Sequence, residues 1–255
     1  MSALVDRLVA QLLGLDVRLM ACHARLTAVT DSEALHDLRI TVRRLRSVLR
    51  PLRGLPGVEQ LELAAKAVGQ LTTPIRDREV LAAYLQQRGM AEAARQRRNT
   101  LDEAYAGVST STELNQLFSV LDAFPRFLRA SQHQGLLHEL KQRIEKRLNK
   151  QWKKLRDTME DPAHDRHRLR LLIKRVRYAA EAYPELDKTN EISQKRLKEA
   201  QAALGDWHDH LQWLAQAKEQ TDLARCVPGW LKDIQRAEKD ADRALERLGK
   251  ACFGK

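Results

Sequence analysis

The sequence is short of the residue types on which several protein classes depend. Among its 255 residues are three cysteines, and aromatic residues make up 5%. Cys22, Cys226 and Cys252 form no close pair, which excludes a disulfide framework and a CxxC metal knuckle and is typical of a reducing compartment. The low aromatic content argues against proteins that read RNA or single strands, because these stack bases on aromatic side chains.

Long apolar runs are also missing. The apolar run from Leu8 to Leu15 is much shorter than the roughly 18–20 residues of a membrane helix. Acidic residues flank this run at Asp6 and Asp16, which argues against a signal peptide. The sequence has no P-loop, GxSxG or HExxH motif. We therefore expect a soluble cytoplasmic protein without a membrane-spanning helix, and the absent motifs suggest no bound metal or cofactor.

Positive charge, by contrast, is in excess. Lys and Arg number 45 against 34 Asp and Glu, which gives a net charge of +11, and hydrophobic residues make up 43%. That apolar fraction is enough for a folded core. Both halves of the chain are net positive, so the charge does not come from an appended tail. This composition indicates a polyanionic partner: nucleic acid, an anionic membrane or a phosphate polymer.

Apolar residues recur with helical spacing along almost the whole chain. No Asn-Gly or Asp-Gly hairpin signal lies between alternating apolar runs. We therefore predict an all-α protein. The predicted helices cover residues 3–29, 32–53, 58–72, 76–88, 90–107, 112–129, 133–159, 163–183, 189–204, 206–222 and 228–249.

One motif occurs twice. The run from His36 to Arg46 recurs from His167 to Arg177, at an offset of 131, and both copies fit HxxRxxx[RK]RxR. Further along, an offset of 132 pairs Lys66 with Lys198, Arg76 with His208, and Asp77 with Asp209. The repeat predicts two similar helical lobes, 1–130 and 131–255.

Each motif helix carries a row of cations beside its apolar seam. In the first helix the seam is Leu35, Leu38, Val42, Leu45, Leu49 and Leu52. The seam residues follow one another in steps of three or four. Starting one residue later, the same steps give the cationic stripe, which is His36, Arg39, Arg43, Arg46, Arg50 and Arg53. The second stripe is His167, Arg170, Lys174 and Arg177, and it breaks at Glu181.

A solvated helix face usually mixes charges, because like charges at i,i+4 cost a few tenths of a kcal/mol. Arginine offers a planar fork that matches two phosphate oxygens. A solvated basic face is the simpler explanation for one stripe, but the recurrence in register favours binding of an external polyanion.

The two motif segments resemble a known family. LHDLRITVRRLRSVLR (35–50) and RHRLRLLIKRVRYAAE (166–181) are similar to the signature helices of the CHAD family, the conserved histidine α-helical domain. LTTPIRDREV (71–80) and LGDWHDHLQW (204–213) resemble the RD and LGD-x-x-D turns of that family. The resemblance implies two four-helix bundles related by a pseudo-twofold. It also implies non-enzymatic binding of inorganic polyphosphate in a basic groove or pore, at polyphosphate granules.

The predicted polyphosphate-binding residues come from both lobes. They are His36, Arg39, Arg43, Arg44, Arg46, Arg50, Lys66, Arg76, His167, Arg170, Lys174, Arg175, Arg177, Lys198 and His208. Asp77 and Asp209 are predicted to orient stripe arginines, with helix capping as an equal alternative. Two departures from the family pattern are Glu181, which stands where the first lobe has Arg50, and Thr72-Thr73-Pro74, which stands where the second lobe has Leu204-Gly205-Asp206.

Three alternatives stay open at this point. Backbone binding of duplex nucleic acid is the leading one. A metal-dependent polyphosphate hydrolase is suggested by His36-Asp37 and His208-Asp209-His210, although helical residues two apart point to opposite sides.

The basic run from Lys141 to Arg156 is either a flank of the anion site or a solvated face, with membrane binding as a weaker third possibility. The four tryptophans are expected to pack in the core or an interface.

Overall fold

The computed structural model describes residues 3–161, 163–187 and 189–254, and within these ranges the regular structure is helical with no strand. This confirms the all-α prediction. The helices are α1 (Ala3–Thr27), α2 (Ala34–Leu49), α3 (Val58–Gln87), α4 (Ala91–Arg98), α5 (Leu101–Ser109), α6 (Thr112–His133), α7 (Leu140–Glu160), α8 (Arg166–Ala182), α9 (Glu191–Gln216) and α10 (Val227–Phe253), with 3-10 turns at Arg50–Leu52 and Thr221–Cys226.

The chain packs as two compact units that divide between Ile144 and Glu145. The division falls inside α7, whose first turn belongs to the first unit. The lobe boundaries inferred from the repeat, 1–130 and 131–255, and the pseudo-twofold between the lobes stay predictions.

In the first unit, α1, α2, α3 and α6 pack in a closed ring, each against two of the others, and α4 and α5 pack on α3. The apolar seam of the first motif helix faces this core, because Leu38, Leu45 and Leu49 are each 0% exposed. Burial of such a seam holds α2 in one orientation, so the side chains one residue further along the sequence lie at the edge of the core.

In the second unit, α7, α8, α9 and α10 contribute to one apolar core. Leu169, Ile173 and Val176 of the second motif helix are buried in it. Trp207, Trp213 and Trp230 are also buried, which confirms the expectation that they pack in the core. The second motif helix is thus fixed by its apolar seam, as the first is.

Two expected helix boundaries are wrong. The predicted helices 58–72 and 76–88 are one continuous helix, α3, which runs through Pro74. Proline removes the N–H that would otherwise bond to the carbonyl four residues earlier, at Gln70. The Thr72 and Thr73 hydroxyls donate to the carbonyls of Val68 and Gly69, at 2.8 and 2.7 Å, so they tighten the turn before Pro74 but do not replace that bond. In the second unit, α9 likewise runs without a break through Leu204-Gly205-Asp206. Packing of both ends against the core overrides the local turn signals.

Two other predicted helices are shorter than expected. The segment 90–107 divides into α4 and α5, where the Thr100 hydroxyl donates to the Arg97 carbonyl at 3.0 Å and ends the first of them. The segment 133–159 begins as a turn. Gly135, with φ of 74°, follows the end of α6, and α7 starts only at Leu140. A left-handed glycine after the last helical turn is a common helix stop.

Candidate functional site

Arg39 is built into the contact between α2 and α3. Its Nη1 donates to Thr72 Oγ1 at 2.8 Å, to Thr73 Oγ1 at 3.1 Å and to the Gly69 carbonyl at 3.3 Å. Burial lowers the pKa of Arg39, and the neighbouring Arg43 and Arg76 charges act in the same direction, while Asp77 and Glu79 oppose them. Arg39 is therefore held by hydrogen bonds at a half-buried position where like charges crowd it.

His36 lies among the same cations. Burial lowers its pKa, the charges of Arg76 and Arg43 lower it further, and Glu33 and Asp37 act in the opposite direction. We define the first cluster as His36, Arg39, Arg43 and Arg76, all half-buried on α2 and α3. Beyond burial, the charges of Arg43 and Arg76 lower the pKa of both His36 and Arg39, which indicates a positive potential that favours an anion at this place.

A partly buried chain of hydrogen bonds holds Arg76. Its Nη1 pairs with Glu79 Oε2 at 2.7 Å, and Glu79 Oε1 accepts a hydrogen bond from the Tyr105 hydroxyl at 2.6 Å. Burial and this hydrogen bond raise the pKa of Tyr105. Neither Glu79 nor Tyr105 was expected at the site. The i,i+3 spacing of Arg76 and Glu79 on one helix is the signal that could have found the first of them.

The first stripe ends in an internal ion pair, so its cations are not all equivalent. Arg53 Nε donates a hydrogen bond to Oε2 of Glu62 on α3 at 2.5 Å, and Arg50 Nε lies 3.9 Å from Glu62 Oε1. Burial raises the pKa of Glu62, but the hydrogen bond from Arg53 and the charges of Arg53, Arg50 and Arg46 outweigh burial and lower it overall. The predicted site residues Arg46 and Arg50 thus face a carboxylate within the protein.

The second unit brings two predicted histidines together. The ring centroids of His167 on α8 and His208 on α9 lie 5.2 Å apart. Burial lowers the pKa of His208 to about 4, helped by the charges of Arg170, His167 and Lys174. We define the second cluster as His167, Arg170, Lys174 and His208. Asp165 begins α8 by accepting the backbone N–H of His167 at 2.8 Å, which places His167 in the first helical turn.

The second stripe also meets a carboxylate at its end. Arg177 Nη2 lies 3.4 Å from Glu181 Oε1, and its guanidinium lies 4.4 Å from the centre of the Tyr178 ring. Arg177 is therefore partly neutralised at the residue where the stripe was expected to break.

Four further predicted cations are exposed on α2, α3, α8 and α9. They are Arg44, Lys66, Arg175 and Lys198. Side chains this exposed contribute long-range charge more than a built contact.

Asp77 and Asp209 lie in the interiors of α3 and α9, so the capping alternative is wrong for both. Both are half-buried. The charge of Asp77 acts on Arg39, since it opposes the lowering of the arginine pKa. A role in orienting the stripe arginines stays a prediction.

His210, part of the suspected metal motif, is buried and packs within the protein. Its Nδ1 is 2.8 Å from the Asp206 carbonyl oxygen, and its ring meets Trp213 at 4.9 Å between centroids. Within residues 3–161, 163–187 and 189–254, no group of three His, Cys, Asp or Glu side chains could hold a metal ion. A helix of sufficient length and apolarity to cross a membrane is likewise absent from these ranges.

The fold and sequence match known proteins. A sequence model of the CHAD domain matches residues 11–218. The crystal structure of the CHAD domain from the plant Ricinus communis is similar, with a TM-score of 0.75 over 100% of this chain and 93% of that one, at 23% identity. At that identity the likeness shows the fold alone. A comparison with curated proteins gives no match.

Proposed function

The chain belongs to the CHAD domain family, and we propose that it binds inorganic polyphosphate through the first and second clusters, without a chemical step. The observation that carries the proposal is the same in each unit. A motif helix and the next long helix hold cations and a histidine together at the edge of the core, where burial and then the neighbouring cations lower the pKa of His36 in one unit and of His208 in the other.

Polyphosphate suits such clusters because it presents one phosphate after another along a flexible chain. Guanidinium groups bind phosphate oxygens in pairs, and half-buried charges are screened less than exposed ones. A bound anion also relieves the repulsion among the cations of each cluster. Binding releases counterions, so we expect the affinity to fall steeply as salt is added. A polymer that engages both clusters would gain further through effective concentration, and attachment to polyphosphate granules would follow from this affinity.

The direct test replaces one cation in each cluster and spares the fold. Arg39 is a poor choice, because it joins α2 to α3. Arg43→Gln with Lys174→Gln removes two half-buried charges. We expect long-chain polyphosphate to bind at least about tenfold more weakly in a calorimetric titration, because each lost contact to a charged group is worth about 1.5–3 kcal/mol. Unchanged helicity by circular dichroism shows that the fold is intact.

The matched control is Arg126→Gln with Lys239→Gln. Both side chains are exposed, on α6 and α10, which carry none of the predicted site residues. The control has the same net charge as the test variant. We expect it to bind nearly as well as the original protein. An equal loss in both double variants would show that total charge, and not the clusters, accounts for binding, and would overturn the proposal.

Two further assays address the alternatives. Competition between polyphosphate and duplex DNA at fixed ionic strength separates a polyphosphate site from general backbone binding. Incubation of polyphosphate with the protein and a divalent metal ion tests for hydrolysis, and we expect no release of phosphate. Release that is lost in the Arg43→Gln, Lys174→Gln variant would replace the binding proposal with an enzymatic one.

A further inference from the structure

A cavity of about 510 Å³ opens in the second unit, where the end of α7, the start of α8 and the last turns of α10 meet. Its floor is apolar and consists of Met159, Leu169, Leu245, Gly249 and Phe253. None of the second cluster lines it. The volume lies in the range of small-molecule sites, and methionine gives a wall that adapts to different shapes.

Gly249 keeps this cavity open. Glycine weakens a helix interior relative to alanine, and Gly249 lies inside α10 without the positive φ that would require glycine. A Cβ at this position would meet Met159 Cε at 3.7 Å, which is ordinary van der Waals contact. Alanine would therefore fit, and what glycine adds is free space between α10 and α7.

The edge of the cavity is acidic, although the chain as a whole carries a net charge of +11. The polar lining residues are three carboxylates, one lysine and one histidine: Glu160, Asp242, Glu246, Lys250 and His164. Arg166 binds Asp242 through Nη2, at 2.9 Å from each carboxylate oxygen. Glu246 pairs with Lys250 at 2.6 Å, but this pair is 64% and 63% exposed, so it adds little stability. Three carboxylates stand against one lysine among the lining residues, so the edge favours an ammonium group, which could replace Lys250 at Glu246, over an anionic head group.

We propose that this cavity binds a small cationic amphiphile, with an aliphatic body on the apolar floor and an ammonium head between Glu160 and Glu246. Burial of the chain on Met159, Leu245 and Phe253 supplies the affinity, and the carboxylates select the head group. The site is independent of polyphosphate binding, because it lies on other residues and has the opposite charge.

The test uses the full chain and three probes of equal length: octylammonium, octanoate and octanol. We expect saturable binding of octylammonium, by calorimetry or NMR, at least tenfold tighter than that of octanoate. Gly249→Leu fills the cavity and lowers octylammonium affinity at least tenfold. The control Gly229→Leu changes the same helix at a position where a Cβ meets open space, and it leaves binding unchanged.

A second variant keeps the proposal testable if Gly249→Leu unfolds. Glu246→Gln removes charge at the edge and should weaken octylammonium while leaving octanol unaffected, whereas Glu219→Gln, outside the cavity, should change neither. Equal binding of all three probes would mean unselective apolar adsorption. That result, or full octylammonium affinity in Glu246→Gln or in a folded Gly249→Leu, would overturn the proposal.

Discussion

Polyphosphate binding is expected to take up protons at His208, so that affinity rises as pH falls. In the free protein, burial and the charges of Arg170, His167 and Lys174 lower the pKa of His208 to about 4. The ring is therefore neutral near pH 7. A phosphate chain bound at the second cluster would cancel part of the cationic field and move the pKa back toward its ordinary value, which is about 6.5.

The size of the effect follows from linkage. A full return of the pKa of His208 from about 4 to about 6.5 in the complex would raise affinity about tenfold between about pH 7.5 and pH 5.5. Burial, the larger cause of the shift, persists in the complex, so we expect a rise of a few-fold, with about tenfold as the upper bound. Almost no change is expected above about pH 7.5, where the ring is neutral in both states. The lowered pKa of His36 adds an effect of the same sign in the first cluster. The internal phosphates of a long polymer stay ionised over this range, so the protein is the main source of the change.

Calorimetry in buffers of different ionisation enthalpy measures the proton uptake directly. His208→Arg places a permanent charge where the first cluster has Arg76, and we expect it to bind more tightly at about pH 7.5 and to lose much of the pH dependence. His133→Gln on α6, a helix without predicted site residues, is the control and should behave as the original protein. Proton uptake that is identical in His208→Arg and the original protein would refute this reasoning.

Three further outcomes concern stability. The lowered pKa of Glu62 means that its ion pair stabilises the fold at neutral pH and is lost as pH falls through the folded pKa. Glu62→Gln should therefore lower the free energy of unfolding by about 1–3 kcal/mol near pH 7, and an equal cost near pH 3 in urea denaturation would contradict this. Tyr105→Phe removes the hydrogen bond to Glu79 and should lower the free energy of unfolding by about 1–2 kcal/mol. It should also weaken polyphosphate binding a few-fold, because Glu79 then holds Arg76 less firmly, and a purely structural role of Tyr105 would leave this affinity unchanged. Leu45→Ala, at a side chain 0% exposed, should cost about 2–5 kcal/mol, and a loss below about 1 kcal/mol would mean that the core closes over the gap.

Local sequence patterns predict much of this fold because helical periodicity and burial are linked. Spacing alone predicts that Leu38 and Leu45 lie in a buried seam, and both are fully buried. The turn expected at Thr72–Pro74 does not form, because α3 has buried residues on both sides of Pro74 and packs as one continuous helix. Local composition contains this influence only indirectly.

The partners of the site residues could not be predicted in the same way. The spacing places Arg39 on the stripe, but only the fold shows that Thr72 receives its guanidinium, across 33 residues of sequence. Glu62 neutralises one end of the stripe through a similar contact between α3 and the turn after α2. Such contacts depend on how the helices cross, which a single sequence with helical spacing does not specify.

The continuity of α3 and α9 affects how quickly a ligand can be captured. Arg76 and His208 lie in the middle of long helices, so their backbone lost its freedom when the protein folded. The backbone around them does not have to become ordered when the ligand binds, so the free energy of binding contains no cost for lost backbone entropy at these residues. We therefore expect capture to proceed at the rate of encounter, accelerated by electrostatic steering, and residence time alone to distinguish strong from weak polyanions.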